Sequence, residues 1–183
     1  MQQGGLPRGV KVPIRSRKNI RRVSDRLRIA LGLRDPYIDI ERLLEHRLDE
    51  MGLVYDIADH QELGGNEAVT IPERNEIIIR SDVYQALRRG EHRARFTVIH
   101  EIGHWFLHRD VGLASNPTAG RHQFFEDSEW QADCFAAEFL MPAGIVARGF
   151  STGNAVSQEF GVSLGAAIIR LKVLRSEGLM PRI

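Results

Sequence analysis

The spacing of apolar residues predicts two helices in the first third of the chain. Before Gly32, apolar residues recur every three or four positions, at Ile20, Val23, Leu27, Ala30 and Leu31. The same spacing returns before Gly52, at Ile40, Leu43, Leu44, Leu48 and Met51. This period matches one buried face of an α-helix, and glycine commonly ends a helix. We therefore expect one helix from Ser16 to Gly32 and another from Ile40 to Gly52.

The pattern then changes to strands and back to helices. Three short runs rich in β-branched residues are LVYDI at 53–57, AVTI at 68–71 and EIIIR at 76–80, with PERN as a turn between the last two. From Ser81 onward the helical period returns, in SDVYQALRR, around HEIGHWFLH, in SEWQADCFAAEFLM and in two or three helices after Pro142. A sheet followed by helices predicts an α+β fold with a small antiparallel sheet.

Composition limits the kinds of site that this chain can build. At 183 residues and 43% hydrophobic residues, the chain is long enough for one packed domain, with room for an appendage. The single cysteine, Cys134, excludes an internal disulfide and a thiolate-rich zinc site. Any metal must therefore be held by histidines and carboxylates.

Charge is distributed unevenly along the chain. Residues 1–36 carry ten Lys or Arg and two Asp, a net charge of +8, and the remainder carries a net charge of −7. Such a basic arm can attract nucleic acid or an acidic partner. The alternative, a solvated tail followed by the outer face of a helix, is favoured because no aromatic residues interleave the charges. We expect residues 1–14 to form a flexible leader within a 1–36 arm that contains one helix, and residues 37–183 to form the main domain.

The sequence shows no membrane signal. The basic start has no following apolar stretch of signal-peptide length, and no segment approaches the length needed to span a bilayer. We therefore expect a cytoplasmic protein without a membrane partner.

The stretch HEIGHWFLH, residues 100–108, begins with the pattern HExxH. On a helix, His100 and His104 lie on one face with Glu101 beside them, so two imidazoles can share a metal while the carboxylate reaches its open side. The apolar neighbours predict a buried helix, where an unsatisfied polar group costs about 1–3 kcal/mol. The histidines must therefore be paired or metal-bound, and core histidines bonded to the backbone remain the alternative.

A catalytic zinc commonly takes three protein ligands, so a third must lie elsewhere. The continuation HExxHxxGxxH is absent, because Leu107 and Asp110 stand where its glycine and third histidine belong. The downstream carboxylates are the candidates: Glu126, Asp127, Glu129 and Glu138. Glu129 is favoured, because Asp133 lies one helical turn further on and could accept a hydrogen bond that orients a ligand histidine. Glu126 and Asp127 fit an ordinary acidic helix start better.

The segments RFTVIHEIGHWFLH and EWQADCFAAEFLMP, in this order, resemble the ImmA/IrrE-type metallopeptidases, and EIIIR and EFGVS are weaker matches. The likeness spans about residues 37–175 and leaves the basic arm without a counterpart. It implies a zincin-like core with His100, His104 and Glu129 as zinc ligands and Glu101 as general base. Asp133 falls on an Asn-or-Asp position of the family pattern. The resemblance also implies an intracellular enzyme that often cleaves a DNA-binding repressor and so regulates transcription.

The resulting hypothesis is a zinc-dependent metalloendopeptidase that cleaves a regulatory protein with a metal-activated water. Other divalent metals, such as manganese, iron or cobalt, also suit two imidazoles and a carboxylate. His108, His122 and Tyr84 are the candidates for stabilising the oxyanion. The run EIIIR could be an edge strand that aligns the substrate, or an ordinary core strand.

Two other functions stay open at this point. Residues 155–175 have the spacing of a helix-turn-helix, but the second helix would open with Ser163 and Leu164, where a base-reading helix wants Arg, Asn or Gln. We therefore expect a helical cap, with a DNA-binding regulator as the alternative. An inactive interaction module with a structural metal is the third possibility.

Overall fold

The computed structural model describes residues 8–111 and 122–181. Its α-helices are α1 (Arg17–Ala30), α2 (Ile40–His46), α3 (Ser81–Arg88), α4 (His92–His108), α5 (Ser128–Leu140), α6 (Ala143–Gly149), α7 (Gly153–Phe160) and α8 (Leu164–Ser176). Its strands are β1 (Val54–Ala58), β2 (Ala68–Ile71) and β3 (Glu76–Arg80). Short 3₁₀ turns cover Asp49–Met51, Pro72–Arg74 and Phe124–Glu126. The α+β class predicted from the sequence is confirmed.

The two early helices differ in how well the apolar spacing predicts their ends. For α1, the Ser16 hydroxyl accepts a hydrogen bond from the backbone N–H of Asn19, and Gly32 follows in the left-handed region with φ +68°. The second helix is shorter than predicted, because the backbone leaves helical geometry at Arg47. A 3₁₀ turn then continues the chain and keeps Leu48 in the core. The helical spacing of apolar residues therefore continues past the end of α2, so the spacing alone does not show where this helix ends.

The sheet is mixed, with strand order β1-β3-β2. The prediction of an antiparallel sheet holds for β2 and β3, which the turn at Pro72–Arg74 joins, and it is wrong for β1 and β3, which pair in parallel. Parallel pairing needs a crossover connection, and the chain between β1 and β3, which includes β2, is long enough for one. The run EIIIR is thus the central strand, with Ile77 and Ile79 fully buried, and the edge strand beside α4 is β2.

Helices α4 and α5 pack against each other at the centre of the molecule, and α1 covers another face of α5. The two central helices run in opposite directions, since His104 faces Glu129 whereas His100 faces Asp133. They approach closely at Gly103, where a Cβ atom would lie 2.9 Å from the Phe135 ring. Glycine at this position therefore allows the helix carrying HExxH to meet the helix carrying the acidic residues.

The segment before α1 is packed rather than flexible from residue 8 onward, which corrects the expectation for that part of the leader. The backbone N–H of Val12 donates to the carbonyl of Glu126 at 2.8 Å, and Lys11 and Asp127 form an antiparallel bridge. Val12 is 3% exposed. The chain in front of Arg8 lies outside the described residues.

Residues 155–175, for which a helical cap is expected, lie in helices α7 and α8 and the turn between them. Helices α7 and α8 are joined by the turn at Gly161, in a helix-turn-helix arrangement, and Val156, Phe160 and Leu174 are buried. Arg170 of α8 donates to the backbone carbonyl of Met141 and to the buried carboxylate of Glu138. None of the helices in residues 8–111 and 122–181 is long and apolar enough to cross a membrane.

Candidate metal centre

Helix α4 brings two of the predicted metal ligands, His100 and His104, to one place. His100 and His104 are one turn apart, and their Nε2 atoms lie 3.0 Å from each other. Both side chains are largely buried, with 14% and 11% of the side-chain surface exposed. Two ring nitrogens that face each other at this distance cannot both keep a proton, so the pair is suited to sharing a cation.

Glu129 at the start of α5 completes the cluster. Its Oε2 lies 3.2 Å from His100 Nε2 and its Oε1 lies 3.2 Å from His104 Nε2. Among the residues described, His100, His104 and Glu129 are the group whose ligand atoms all lie within 4.8 Å of one another. Glu129 thus occupies the position expected of a third ligand.

The other acidic candidates have different partners. Asp127 accepts a hydrogen bond from the backbone N–H of Trp130 and so caps α5. Glu126 accepts from the backbone N–H of Gln123 and pairs with Lys11. Glu138 pairs with Arg170 and Arg21 on the far side of α5.

The donor set fits a tetrahedral metal with an open position. Atoms bound to one zinc at about 2.05 Å in tetrahedral geometry lie about 3.3 Å from each other. The separations of 3.0, 3.2 and 3.2 Å between the three side chains agree with this value. Two imidazoles and one carboxylate also match the His₂Glu type of catalytic zinc site.

A chain of buried side chains fixes the orientation of His104. Gln131 donates through Nε2 to the backbone carbonyls of Pro13 and Phe125, so its Oε1 faces His108 Nε2 at 3.2 Å and must accept. His108 Nδ1 is then an acceptor, and it lies 3.2 Å from His104 Nδ1, which donates. His104 therefore presents its Nε2 lone pair to the metal position.

His108 is kept neutral by its surroundings. Burial lowers its pKa to about 4, and the nearby His104 lowers it in the same direction. A neutral imidazole can donate at one nitrogen and accept at the other, as the chain from Gln131 to His104 requires. His108 is fully buried behind His104 and does not line the cleft that contains Glu101.

Asp133 orients the other histidine. Its Oδ1 lies 3.0 Å from His100 Nδ1, so this nitrogen donates and Nε2 points at the metal position. Burial lowers the pKa of His100, but hydrogen bonds to Asp133 and Glu129 raise it further, to about 10. The hydrogen bonds from His100 and His104 hold the pKa of Glu129 well below its usual range. Both shifts have the same cause, which is that the carboxylates of Glu129 and Asp133 favour a positive charge beside them.

Glu101 lies beside the cluster, in a cleft of about 350 Å³. The Thr70 hydroxyl is 2.7 Å from Glu101 Oε2 and 2.8 Å from the Glu101 carbonyl oxygen. Thr70 belongs to edge strand β2, which lines the cleft together with Glu101, His104 and Glu129. Sequence reasoning missed Thr70, because a threonine 31 positions away carries no local signal.

Two of the predicted oxyanion partners lie elsewhere. The Tyr84 hydroxyl donates to Glu45, and its ring stacks on Tyr55, so Tyr84 does not enter the cleft. His122 Nε2 lies 3.0 Å from Asp127 Oδ2, next to the start of α5. Neither side chain lines the cleft that contains Glu101.

One known protein family matches more than half of the chain. The IrrE N-terminal-like domain, Peptidase_M78, matches residues 65–172, a range that holds β2, β3, α4, α5 and the metal cluster. The chain belongs to this family. It is therefore a member of a family of metallopeptidases, whose substrates are proteins. No curated protein matches the chain.

This IrrE N-terminal-like domain receives part of its site from residues in front of the matched range. Arg8 pairs with Asp133, and the backbone N–H of Gly9 donates to Asp127 Oδ2 at 2.8 Å. Gly9 also lies against α5 so closely that a Cβ atom would be 2.3 Å from Ser128 Oγ and 2.8 Å from Glu129 Cγ. Residues 9 and 10 thus line the cleft together with β2 and the start of α5.

Proposed function

We propose that this protein is a zinc-dependent endopeptidase that cleaves a regulatory protein. The observation that carries the proposal is the convergence of two imidazole Nε2 atoms and one carboxylate, beside a glutamate in an open cleft. A structural metal site has no need of a carboxylate held next to its open side. The presence of Glu101 therefore favours an enzyme over an inactive interaction module.

His100, His104 and Glu129 would hold the zinc, and Asp133 and His108 hold the two imidazoles in the required orientation. When bound, zinc lowers the pKa of its water to about 7 and polarises a carbonyl group. Glu101 would accept the proton of that water at Oε1, while Thr70 holds Oε2. The same oxygen would then return the proton to the nitrogen of the leaving amine.

Edge strand β2 is suited to bind an extended peptide. It pairs with β3 on one side and lines the cleft on the other, next to Glu101. A peptide added to such an edge gains main-chain hydrogen bonds that do not depend on its sequence. In this proposal the strand that aligns the substrate is β2, and not β3, for which the sequence suggested this role.

The first experiment compares variants of the purified, zinc-loaded protein. Glu101→Gln is expected to keep one zinc and to lose about 10²–10⁴-fold in cleavage rate, because it cannot accept the proton. His100→Ala and Glu129→Ala are expected to lose the zinc. The zinc content of each variant is measured by elemental mass spectrometry. Cleavage is measured as the new peptide N-termini that appear when the variant is incubated with a soluble proteome. Glu159→Gln, which changes an exposed acid on α7 away from the cluster, is the matched control.

Unchanged proteolysis by pure Glu101→Gln protein would disprove the assignment. For the substrate, the resemblance to the ImmA/IrrE type nominates a helix-turn-helix repressor. A repressor encoded next to this gene is the first to incubate with the zinc-loaded protein. A repressor that stays intact while other proteins are cut would refute this choice of substrate and leave the peptidase assignment standing.

A further inference from the structure

An apolar groove lies between α4, α5 and α8, next to the metal cluster. It has a volume of about 300 Å³, within the range of ligand pockets, and its lining is mostly apolar, as is typical of such pockets. The apolar lining includes Phe96, Trp130, Ala137, Met141, Ala166 and Ile169. The polar lining includes Asp133 at the end nearest the cluster.

The groove adjoins the metal cluster at Asp133. This carboxylate accepts from His100 Nδ1 and also lines the groove. Phe96 precedes His100 by one turn on the same face of α4, so the groove follows this helix away from the metal position. A second hollow of about 440 Å³ shares Phe96, Ala166 and Ile169 and extends toward Thr97 and Ser163.

Helix α8 presents apolar side chains along this side of the molecule. Ile169, which lines the groove, is 64% exposed, and Ala166 and Val173 of the same helix line the groove as well. An exposed apolar patch bordered by polar residues is typical of a binding surface. Arg170, which a DNA-reading helix could use, is instead buried against Glu138. The surface of α8 therefore suits an apolar polypeptide segment better than a nucleic acid.

We propose that this groove is the specificity pocket of the enzyme and receives a large apolar side chain of the substrate next to the bond that is cleaved. The proposal rests on the peptidase function proposed above. Two small residues, Ala137 and Ala166, leave the space that such a side chain fills. Ala166 is the residue that determines the size of the accepted side chain, because it is the smallest of the three residues that the groove and the second hollow share.

The specificity test uses the zinc-loaded protein and a peptide mixture made from a digested proteome. The wild-type protein is expected to cut next to large apolar residues such as Leu and Phe. Ala166→Trp fills the groove and is expected to reduce these cuts at least about tenfold relative to cuts next to small residues. Ala30→Trp, the same change at an exposed position at the end of α1, is the control and is expected to keep the wild-type preference.

A second measurement is independent of cleavage. The zinc-loaded Glu101→Gln protein, labelled with ¹⁵N, is titrated with N-acetyl-L-leucinamide as a model of an apolar residue in a peptide. Saturable chemical-shift changes are expected at the backbone amides of Phe96, Ala166 and Ile169. They are expected to vanish in the protein that carries both Glu101→Gln and Ala166→Trp. Absence of saturable shifts, or the same shifts with Ala166→Trp, would overturn the pocket. Shifts as expected without any cleavage by wild-type protein would overturn the peptidase function alone.

Discussion

At the scale of single residues, the orientation of the candidate metal ligands depends on hydrogen bonds from neighbouring side chains. His104 points its Nε2 at the metal position because His108 accepts from Nδ1, and His108 does so because Gln131 is oriented by two backbone carbonyls. The spacing of four along α4 places His100, His104 and His108 on one face, but it does not say which of them face the cleft. Burial separates them, since His108 has no exposed surface.

The change His108→Phe tests this arrangement. It removes the acceptor for His104 Nδ1, so His104 no longer has a fixed tautomer, and residues that orient metal ligands typically contribute 10–100-fold to metal affinity. We expect zinc affinity to fall by roughly this factor, measured by competition with a chromophoric chelator. His46→Phe, at an exposed position on α2, should leave the affinity unchanged. Wild-type zinc affinity in folded His108→Phe protein would show that this side chain does not position His104.

At the scale of elements, the cleft is assembled from segments that are far apart in the chain. Helix α4 supplies Glu101, strand β2 supplies Thr70, and α5 supplies Glu129. Gly9 and Val10, which also line the cleft, belong to the segment of residues 8–12, which pairs with residues 126–128. The basic residues Arg8 and Lys11 of this segment face the acidic start of α5, which explains why it packs there.

Gly9→Ala tests whether this wall supports the metal site. The added Cβ would lie 2.3 Å from Ser128 Oγ and 2.8 Å from Glu129 Cγ, so either the segment or the start of α5 must move. Because Glu129 is the proposed third ligand, we expect zinc affinity to fall on the order of tenfold. Gly149→Ala, where a Cβ meets nothing within 4 Å, is the matched control. Equal zinc affinities of the two variants would mean that the segment can shift without disturbing Glu129.

At the scale of the whole molecule, a buried charge cluster joins the first, fifth and eighth helices. The carboxylate of Glu138 on α5 accepts from Arg170 at 2.7 Å and from Arg21 at 2.9 and 3.0 Å. Burial raises the pKa of Glu138, but the hydrogen bonds from Arg170 and then Arg21 lower it further, so its pKa lies below the usual value of 4.5. The basic α1 is thereby tied into the same core as the metal centre.

Glu138→Gln leaves two arginines without their counter-charge. Breaking a buried ion pair on one side typically costs about 3–5 kcal/mol, and we expect a loss of that size in the free energy of unfolding at pH 7. The depressed pKa means that the stabilisation by Glu138 is present above pH 4.5 and disappears as the pH falls through its folded-state pKa. The difference between wild type and Glu138→Gln should therefore shrink in acid.

Urea unfolding at pH 7 and below pH 4.5 measures both effects. Glu159→Gln on α7 replaces an exposed carboxylate and is expected to change the stability little at either pH. A constant difference between wild type and Glu138→Gln across this pH range would contradict an ionised Glu138 in the core.

The spacing of residues along the chain by itself predicted most of the helices and strands, and it brought together the central residues of the candidate site. The period of apolar residues predicted α1 and the helices from α3 onward, and the helical repeat placed His100, Glu101 and His104 together. The pair Glu129 and Asp133, four residues apart, was enough to nominate the third ligand, and the family resemblance agreed with it. These features depend on residues within one or two helical turns of each other, so they are visible in the sequence alone.

Only the tertiary structure decided the contacts between distant segments. It made β3 the central strand, paired β1 with it in parallel, and placed Thr70 on Glu101. It also brought Gly9 to the wall of the cleft and paired Glu138 with arginines of α1 and α8, away from His100 and His104. Such contacts depend on how whole elements pack, and packing follows from the shape and burial of many residues together, which no short spacing encodes.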